Sequence, residues 1–191
     1  MIGFFVYAYA KLRILDFCYN VVDKYIDRRD YEYVEMDTDS AYLAVSKPSI
    51  EEVVKPELRR QFEAEKYEWF MNCSTPELAA ETLRTPGLFK LEWRGRGFIG
   101  LCAKTYYCFG EEEEDGDKRA TKGLSKKQNP FDKDSFLDVL KRREAGKGVN
   151  RGFRMVGNRM MSYTQEKAGL TYFYIKRKVL DDGITTVPLD V

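Results

Sequence analysis

The chain has 191 residues, 43% hydrophobic and 33% charged, with 32 Lys and Arg against 31 Asp and Glu. That balance describes a globular chain long enough to bury a core and excludes disordered, collagenous and membrane-embedded classes. There is no histidine, so Ser-His and Cys-His nucleophilic catalysis and His-ligated metal sites are excluded; carboxylates, lysines, tyrosines or a borrowed ion must carry any chemistry.

The longest apolar stretch, Met1 to Ala10, lacks a basic leader, and Lys11 and Arg13 follow where a cleavage region would stand. It reads as neither a signal peptide nor a membrane span, so no membrane partner is expected. The helical pattern opens at Met1 without an N-cap, which predicts a start inside a longer parent element. From Ala8 the apolar positions Ala8, Leu12, Leu15, Tyr19, Val22 and Ile26 recur at spacings of 4, 3, 4, 3 and 4. That is the period of an amphipathic helix. Cys18, Cys73, Cys102 and Cys108 form no CxxC pair; they read as reduced, mostly buried thiols of an intracellular, reducing compartment, nuclear or cytoplasmic.

After the charged break Asp27 to Asp30, two β-rich segments, Tyr31 to Met36 and Ala41 to Val45, flank Asp37-Thr38-Asp39-Ser40. They predict a β-hairpin with an acidic turn. Ser49 with Glu52 suggests a capping box, Pro56 opens a helical run through Phe70, and Thr75-Pro76 starts a short helix ending before Pro86-Gly87. Strands are predicted over Leu88 to Trp93 and Phe98 to Phe109 about a Gly95-Arg96-Gly97 turn, followed by a solvated acidic hairpin end, Glu111 to Asp117. Asp134 is read as the cap of a helix through Glu144 that ends at Gly146, with two strands about a Glu166 to Gly169 turn.

The near-neutral total hides an asymmetry. Residues 118 to 178 carry 17 basic side chains against 5 acidic, whereas residues 1 to 100 carry 14 against 17. The expected fold class is α+β: a body over residues 1–117 and a smaller basic subdomain with the C-terminal tail over 118–191.

Asp37 and Asp39 are the sharpest candidate site. Two carboxylates at i and i+2 in a hairpin can reach one side, where their repulsion is relieved by a proton, a cation or a metal. Hard oxygen ligands suit Mg²⁺, which keeps several waters and completes its shell with substrate phosphates. Asp and Ser are also ordinary turn residues, so the four residues alone do not decide.

With its flanks, YVEMDTDSAYLAVS after a long helix resembles the third palm motif of family B DNA polymerases. LCAKTYY, further along, is similar to the family's KxY motif through Lys104, Thr105 and Tyr106. ATKGLSKK resembles the start of the thumb in the protein-primed branch, and TYFYIKRKVLDDGITTVPLD is similar to the ends of polymerases of virus-like Polinton (Maverick) elements. The resemblance implies a partial palm followed by a thumb. It makes Asp39 the principal metal ligand and Asp37 a supporting carboxylate, with Mg²⁺ as cofactor and dNTPs and primer-template DNA as partners. Met36 stands where the family often has Gly.

A lysine on the KxY strand offers a phosphate contact and a tyrosine packs on sugar or base; strand alternation puts Lys104 and Tyr106 on one face and Thr105 on the other. In the basic lobe, Lys122, Lys126 and Lys127 are chosen for DNA. Lys118, Arg142, Arg143, Arg151, Arg154, Arg159, Lys176, Arg177 and Lys178 add charge, interleaved with Tyr163, Tyr172, Phe173 and Tyr174.

The family's first palm motif, an Asp followed by an SLYP-like segment, has no counterpart in these 191 residues, nor do the Lys-rich fingers helix and the exonuclease motifs. The chain therefore reads as the C-terminal palm-and-thumb part of a polymerase: a truncated gene, a coding sequence cut upstream, or a chain needing a complementary partner such as the missing N-terminal part or a terminal protein. Two other classes stay open, a noncatalytic DNA-binding remnant and an unrelated α+β interaction module.

Overall fold

The first helix is apolar on more than one side, and aromatic packing selects the side that is buried. The structure, a computed structural model, describes residues 2–110, 116–172, 177–182 and 185–188. The sequence features at Glu111 to Asp115 and at Phe173, Tyr174 and Lys176 lie outside them. The chain is mixed α+β with small antiparallel sheets, and it divides into two units, Met1–Glu92 and Trp93–Val191. Among the described residues no helix is long and apolar enough to cross a membrane.

In the first unit, helix α1 (Ile2–Phe17) runs on into a wider π-helical turn, Cys18–Asp23. The buried side chains are Ile14, Phe17, Cys18, Val21, Val22, Tyr25 and Ile26. Of the stripe expected from periodicity, only Val22 and Ile26 are inside, while Leu12, Leu15 and Tyr19 are exposed. The choice follows from the neighbours. Phe17 packs on Phe89 and Phe70 at ring-centroid distances of 4.4 and 5.7 Å, and Tyr25 meets Phe62 edge-on at 5.3 Å; large rings dominate burial energy. The π turn holds an extra residue and re-aims the stripe.

Arg13 pins the helix from outside. Its guanidinium lies 3.9 Å from the Trp69 ring centroid and donates to the carbonyls of Gly87 (2.8 Å) and Glu68 (2.7 Å). Helices α2 (Ile50–Val53), α3 (Arg59–Glu65) and α4 (Pro76–Thr82) are short. Ser49 bonds the Glu52 carboxylate at 3.3 Å instead of the helix backbone, so the capping box is not formed, whereas Thr75 does cap α4 by accepting from the Leu78 amide. The strand expected at Leu88 to Trp93 is absent as such. Phe89 makes a single parallel bridge to Phe70, its ring drawn into the aromatic core after Pro86-Gly87.

Strands β1 (Tyr31–Asp37) and β2 (Ser40–Val45) form the expected hairpin. Its base is tied by the Tyr31 hydroxyl donating to the Asp23 carboxylate, and Tyr31 packs edge-on to Tyr33 at 5.5 Å.

In the second unit, β3 (Gly97–Cys102), β4 (Thr105–Phe109) and β5 (Lys118–Ala120) are adjacent antiparallel strands in that order. The segment expected as one strand is thus a hairpin turning at Ala103-Lys104. A boundary at Lys118 falls inside this sheet, which pairs Tyr106 with Ala120 across it. Helix α5 (Lys133–Arg142) is capped by Asp132, not Asp134: the Asp132 carboxylate accepts from the Ser135 amide at 2.9 Å, and the Ser135 hydroxyl accepts in return from the Asp132 amide. The helix ends at Arg143 (φ 55°), ahead of Gly146. Phe136 and Val139 on α5 pack with Ile99, Leu101, Tyr107 and Leu170.

The longest pair is β6 (Gly146–Val156) with β7 (Arg159–Leu170). Its turn is Gly157-Asn158, both at positive φ (51° and 56°), not Glu166 to Gly169, which lies within β7. A two-residue turn with both φ positive matches the right-handed twist of the strands. Strands β8 (Arg177–Val179) and β9 (Thr186–Pro188) form a last antiparallel pair.

Candidate functional site: the acidic hairpin tip and the basic sheet

The strands of the acidic hairpin form because β-formers such as Tyr31, Tyr33, Val34, Tyr42 and Val45 alternate along them. A bulge between Tyr33 and Glu35 shifts the register, so that Glu35 opposes Tyr42 and Asp37 opposes Ser40. Thr38 and Asp39 alone make the turn. Thr38 takes φ 54°, a region costly for a β-branched residue, and the Asp39 amide donates to the Asp37 carbonyl at 2.6 Å.

This turn fixes Asp37. Its carboxylate accepts from the Thr38 hydroxyl at 3.1 Å and its carbonyl from the Ser40 hydroxyl at 3.2 Å. Asp37 is half-buried and Asp39 is exposed. Backbone strain of this kind, on the order of 1–3 kcal/mol, persists only where its surroundings over-determine it.

The carboxylates of Asp37 and Asp39 are hard oxygen donors of the kind Mg²⁺ takes, and they are fewer than its octahedral shell requires, leaving positions for water and phosphate oxygens. Glu35, which sequence reasoning does not single out, shares the face of Asp37 by alternation. Even so, among the described residues no group of three or more acidic, Cys or His side chains is placed to hold a metal ion. The hairpin fits one part of a metal site.

The KxY residues lie in the second unit, and the alternation expected for them does not hold. Lys104 sits in the β3–β4 turn at φ 65°. Thr105 is buried (1% exposed), and its hydroxyl accepts from the Lys122 amide at 3.4 Å. The Tyr106 ring stacks on Phe98 with centroids 5.4 Å apart and planes at 22°. The bond of the Lys122 amide to the Thr105 hydroxyl brings the Lys122 backbone to the start of β4, next in sequence to the Lys104 turn.

Lys122, Lys126 and Lys127 are exposed on a loop held from beneath by buried Leu124 and Asn129. Gly123 has φ 71°, which turns the loop, and a Cβ there would come within 2.6 Å of the Lys167 ammonium nitrogen. Lys126 also lines a cavity of about 330 Å³ with Tyr107, Asp117, Lys118 and Arg119. Arg119 is structural: its guanidinium donates to the carbonyls of Phe131 (2.6 Å) and Lys126 (3.2 Å). Burial and the Asp117 carboxylate that its hydroxyl bonds push Tyr107 up to about 12, and burial pushes the Cys108 thiol up to about 11. Neither group supplies a charge near neutrality.

The structure thus places Asp37 and Asp39 at one hairpin tip in the first unit and, in the second, Tyr106 on β4, Lys104 in the turn before it and Lys122 in the loop after β5. Comparison with family models, with curated proteins and with solved structures finds no match for this chain.

Proposed function

We propose that this chain is the palm-and-thumb part of a family B DNA polymerase of the protein-primed branch. In that role it contributes to two-metal transfer of nucleotides from dNTPs to a primer 3′-hydroxyl. The observation that carries the proposal is the tip of the β1–β2 hairpin. Two carboxylates flank a strained Thr38 in a sequence, DTDS, that matches the family's third palm motif and follows a long helix. Metal ions bound there would activate the hydroxyl and stabilise the triphosphate and departing pyrophosphate.

The chain's own residues have distinct tasks. Asp39 presents exposed oxygens, and Asp37 is held in one orientation by Thr38. On the second unit, Lys104 and Lys122 offer ammonium groups to backbone phosphates, and Tyr106, seated on Phe98, offers a ring to sugar or base. The upstream palm carboxylate and the fingers come from another polypeptide segment. Alone, the chain has no more than trace polymerase activity, and templated extension by the purified chain with Mg²⁺ would refute that.

A second reading, a noncatalytic DNA-binding remnant, is favoured by the 17 basic side chains against 5 acidic in residues 118 to 178 and by the lack of a third metal-holding carboxylate among the described residues. Manganese broadening of amide signals separates the two. On the proposal, Mn²⁺ broadens Asp37, Thr38, Asp39 and Ser40 first and Asp39→Ala removes the effect; on the remnant reading, no residue of the tip is broadened ahead of the other acidic surface.

A further inference from the structure

The outer half of the β6–β7 hairpin exposes apolar side chains among basic ones: Met161 and Val156 lie on the face of Arg154 and Arg159, and the most exposed group lies on the other face. Residues directly opposed in an antiparallel pair share a face, which puts Phe153, Met155 and Met160 together next to the Gly157-Asn158 turn. They are 77%, 60% and 66% exposed. Arg151 is on the same face, one alternation further from the tip.

The opposite face is braced by its own contacts. Tyr163 lies over Gly152, where a Cβ would come within 2.9 Å of its hydroxyl oxygen. Asn150 donates to that hydroxyl at 3.3 Å, and the Arg154 guanidinium stands 5.6 Å from the ring centroid. The base of the arm is fixed by Asn129, whose side chain accepts from the Val149 amide (2.7 Å) and donates to the Val149 carbonyl (2.9 Å), as a neighbouring strand would. Beyond this anchor, seven residues of β6 at about 3.4 Å each extend the arm by roughly 24 Å.

Charge identifies the occupant. From Ala145 to Gln165 there is no acidic residue, while Arg151, Arg154 and Arg159 are basic; Lys147, at the base of the arm, is paired with Glu166 at 3.6 Å. Phe and Met beside Arg151 on one face of a two-stranded ribbon, with Arg154 and Arg159 on the other face, give the chemistry of a wedge that enters between base steps while the cations hold adjacent phosphates. We infer that the Phe153-Met155-Met160 face inserts into the base stack of duplex DNA. The inference rests on the nucleic-acid reading and goes beyond phosphate contact: the arm unstacks a base step.

The test uses the full chain and a set of short duplexes carrying 2-aminopurine at successive positions. Saturating protein raises emission at least about twofold at one step, and Phe153→Ala abolishes the rise and weakens binding about tenfold. Phe153→Trp retains the rise. Arg151→Ala leaves emission per bound protein unchanged and lowers the slope of log K against log salt by about 0.9. Saturable binding with flat emission at every position overturns the wedge and leaves the nucleic-acid reading standing. Absence of duplex binding, or preference for anionic vesicles, overturns both.

Discussion

The amide of Asp39 donates to the carbonyl of Asp37 at 2.6 Å, folding the chain back over Thr38 at φ 54°. Left-handed backbone costs an L-residue roughly 1–2 kcal/mol, and glycine is free of that cost. Thr38→Gly therefore stabilises the hairpin by about 1 kcal/mol in urea denaturation. It also releases the Asp37 carboxylate, which no longer accepts from the Thr38 hydroxyl. A loss of stability in this variant would show that the turn is relaxed with threonine in place.

Asn129 is 5% exposed, and its amide bonds Ser125 and both backbone groups of Val149. Asn129→Ala leaves buried backbone groups unpaired at about 1–3 kcal/mol. The expected outcome is a drop of that size in denaturant unfolding, with faster hydrogen exchange at the Val149 amide. Wild-type exchange there would mean that another group braces the arm.

The acid and alkaline limbs of stability have separate origins. The Tyr25 hydroxyl, then Gln61 and Lys24, hold the Glu65 carboxyl at about 2, below its ordinary 4.5. A depressed carboxylate contributes stability above its unfolded value and loses it as pH falls toward the folded one, here from about 4.5 to about 2. Cys108, raised by burial from 9.0 to about 11, favours the protonated folded state and loses its contribution as pH climbs through that window. In thermal melts across pH, Glu65→Gln flattens the acid limb and Cys108→Ala the first part of the alkaline limb. An unchanged acid limb in Glu65→Gln would place the acid sensitivity elsewhere.

Thiol reactivity follows burial. Cys73 is exposed, Cys102 is half-buried, and Cys18 and Cys108 are buried. Alkylation at pH 8 labels Cys73 first, and Cys18 and Cys108 only on unfolding. Rapid labelling of Cys108 in folded protein would contradict the packing of β4.

On the proposed reading, duplex binding weakens steeply as salt rises. Replacing Lys122, Lys126 and Lys127 together by Ala lowers the slope of log K against log salt by about 0.9 for each phosphate that these lysines neutralise. An unchanged slope would remove this loop from the interface.

Local chemistry makes the acidic hairpin and the capped α4 legible in the sequence, because Asp-Thr-Asp-Ser between β-formers and Thr-Pro before a helical run carry their geometry with them. Periodicity does not decide the buried side of α1, since its apolar residues satisfy more than one stripe and distant rings at Phe62, Phe70 and Phe89 make the choice. Lys104 leaves the strand expected for it because the chain turns tightly at Ala103-Lys104, with no glycine or proline to mark the place. Gly157-Asn158 does carry the chemistry of the long arm's turn, and the more polar Glu166 to Gly169 segment competes with it in the sequence but pairs within the ladder. Glu35 shares the face of Asp37 by simple alternation, but in the sequence it reads as one more polar strand residue ahead of the acidic turn.

The most direct measurement is templated primer extension with Mg²⁺ by this chain supplied with a family B upstream palm and fingers, comparing wild type with Asp39→Ala. Extension that falls by at least about a thousandfold in Asp39→Ala is the predicted result, the order expected when a metal ligand that stabilises the transition state is removed. Equal extension by the two proteins would contradict a catalytic role for the hairpin tip.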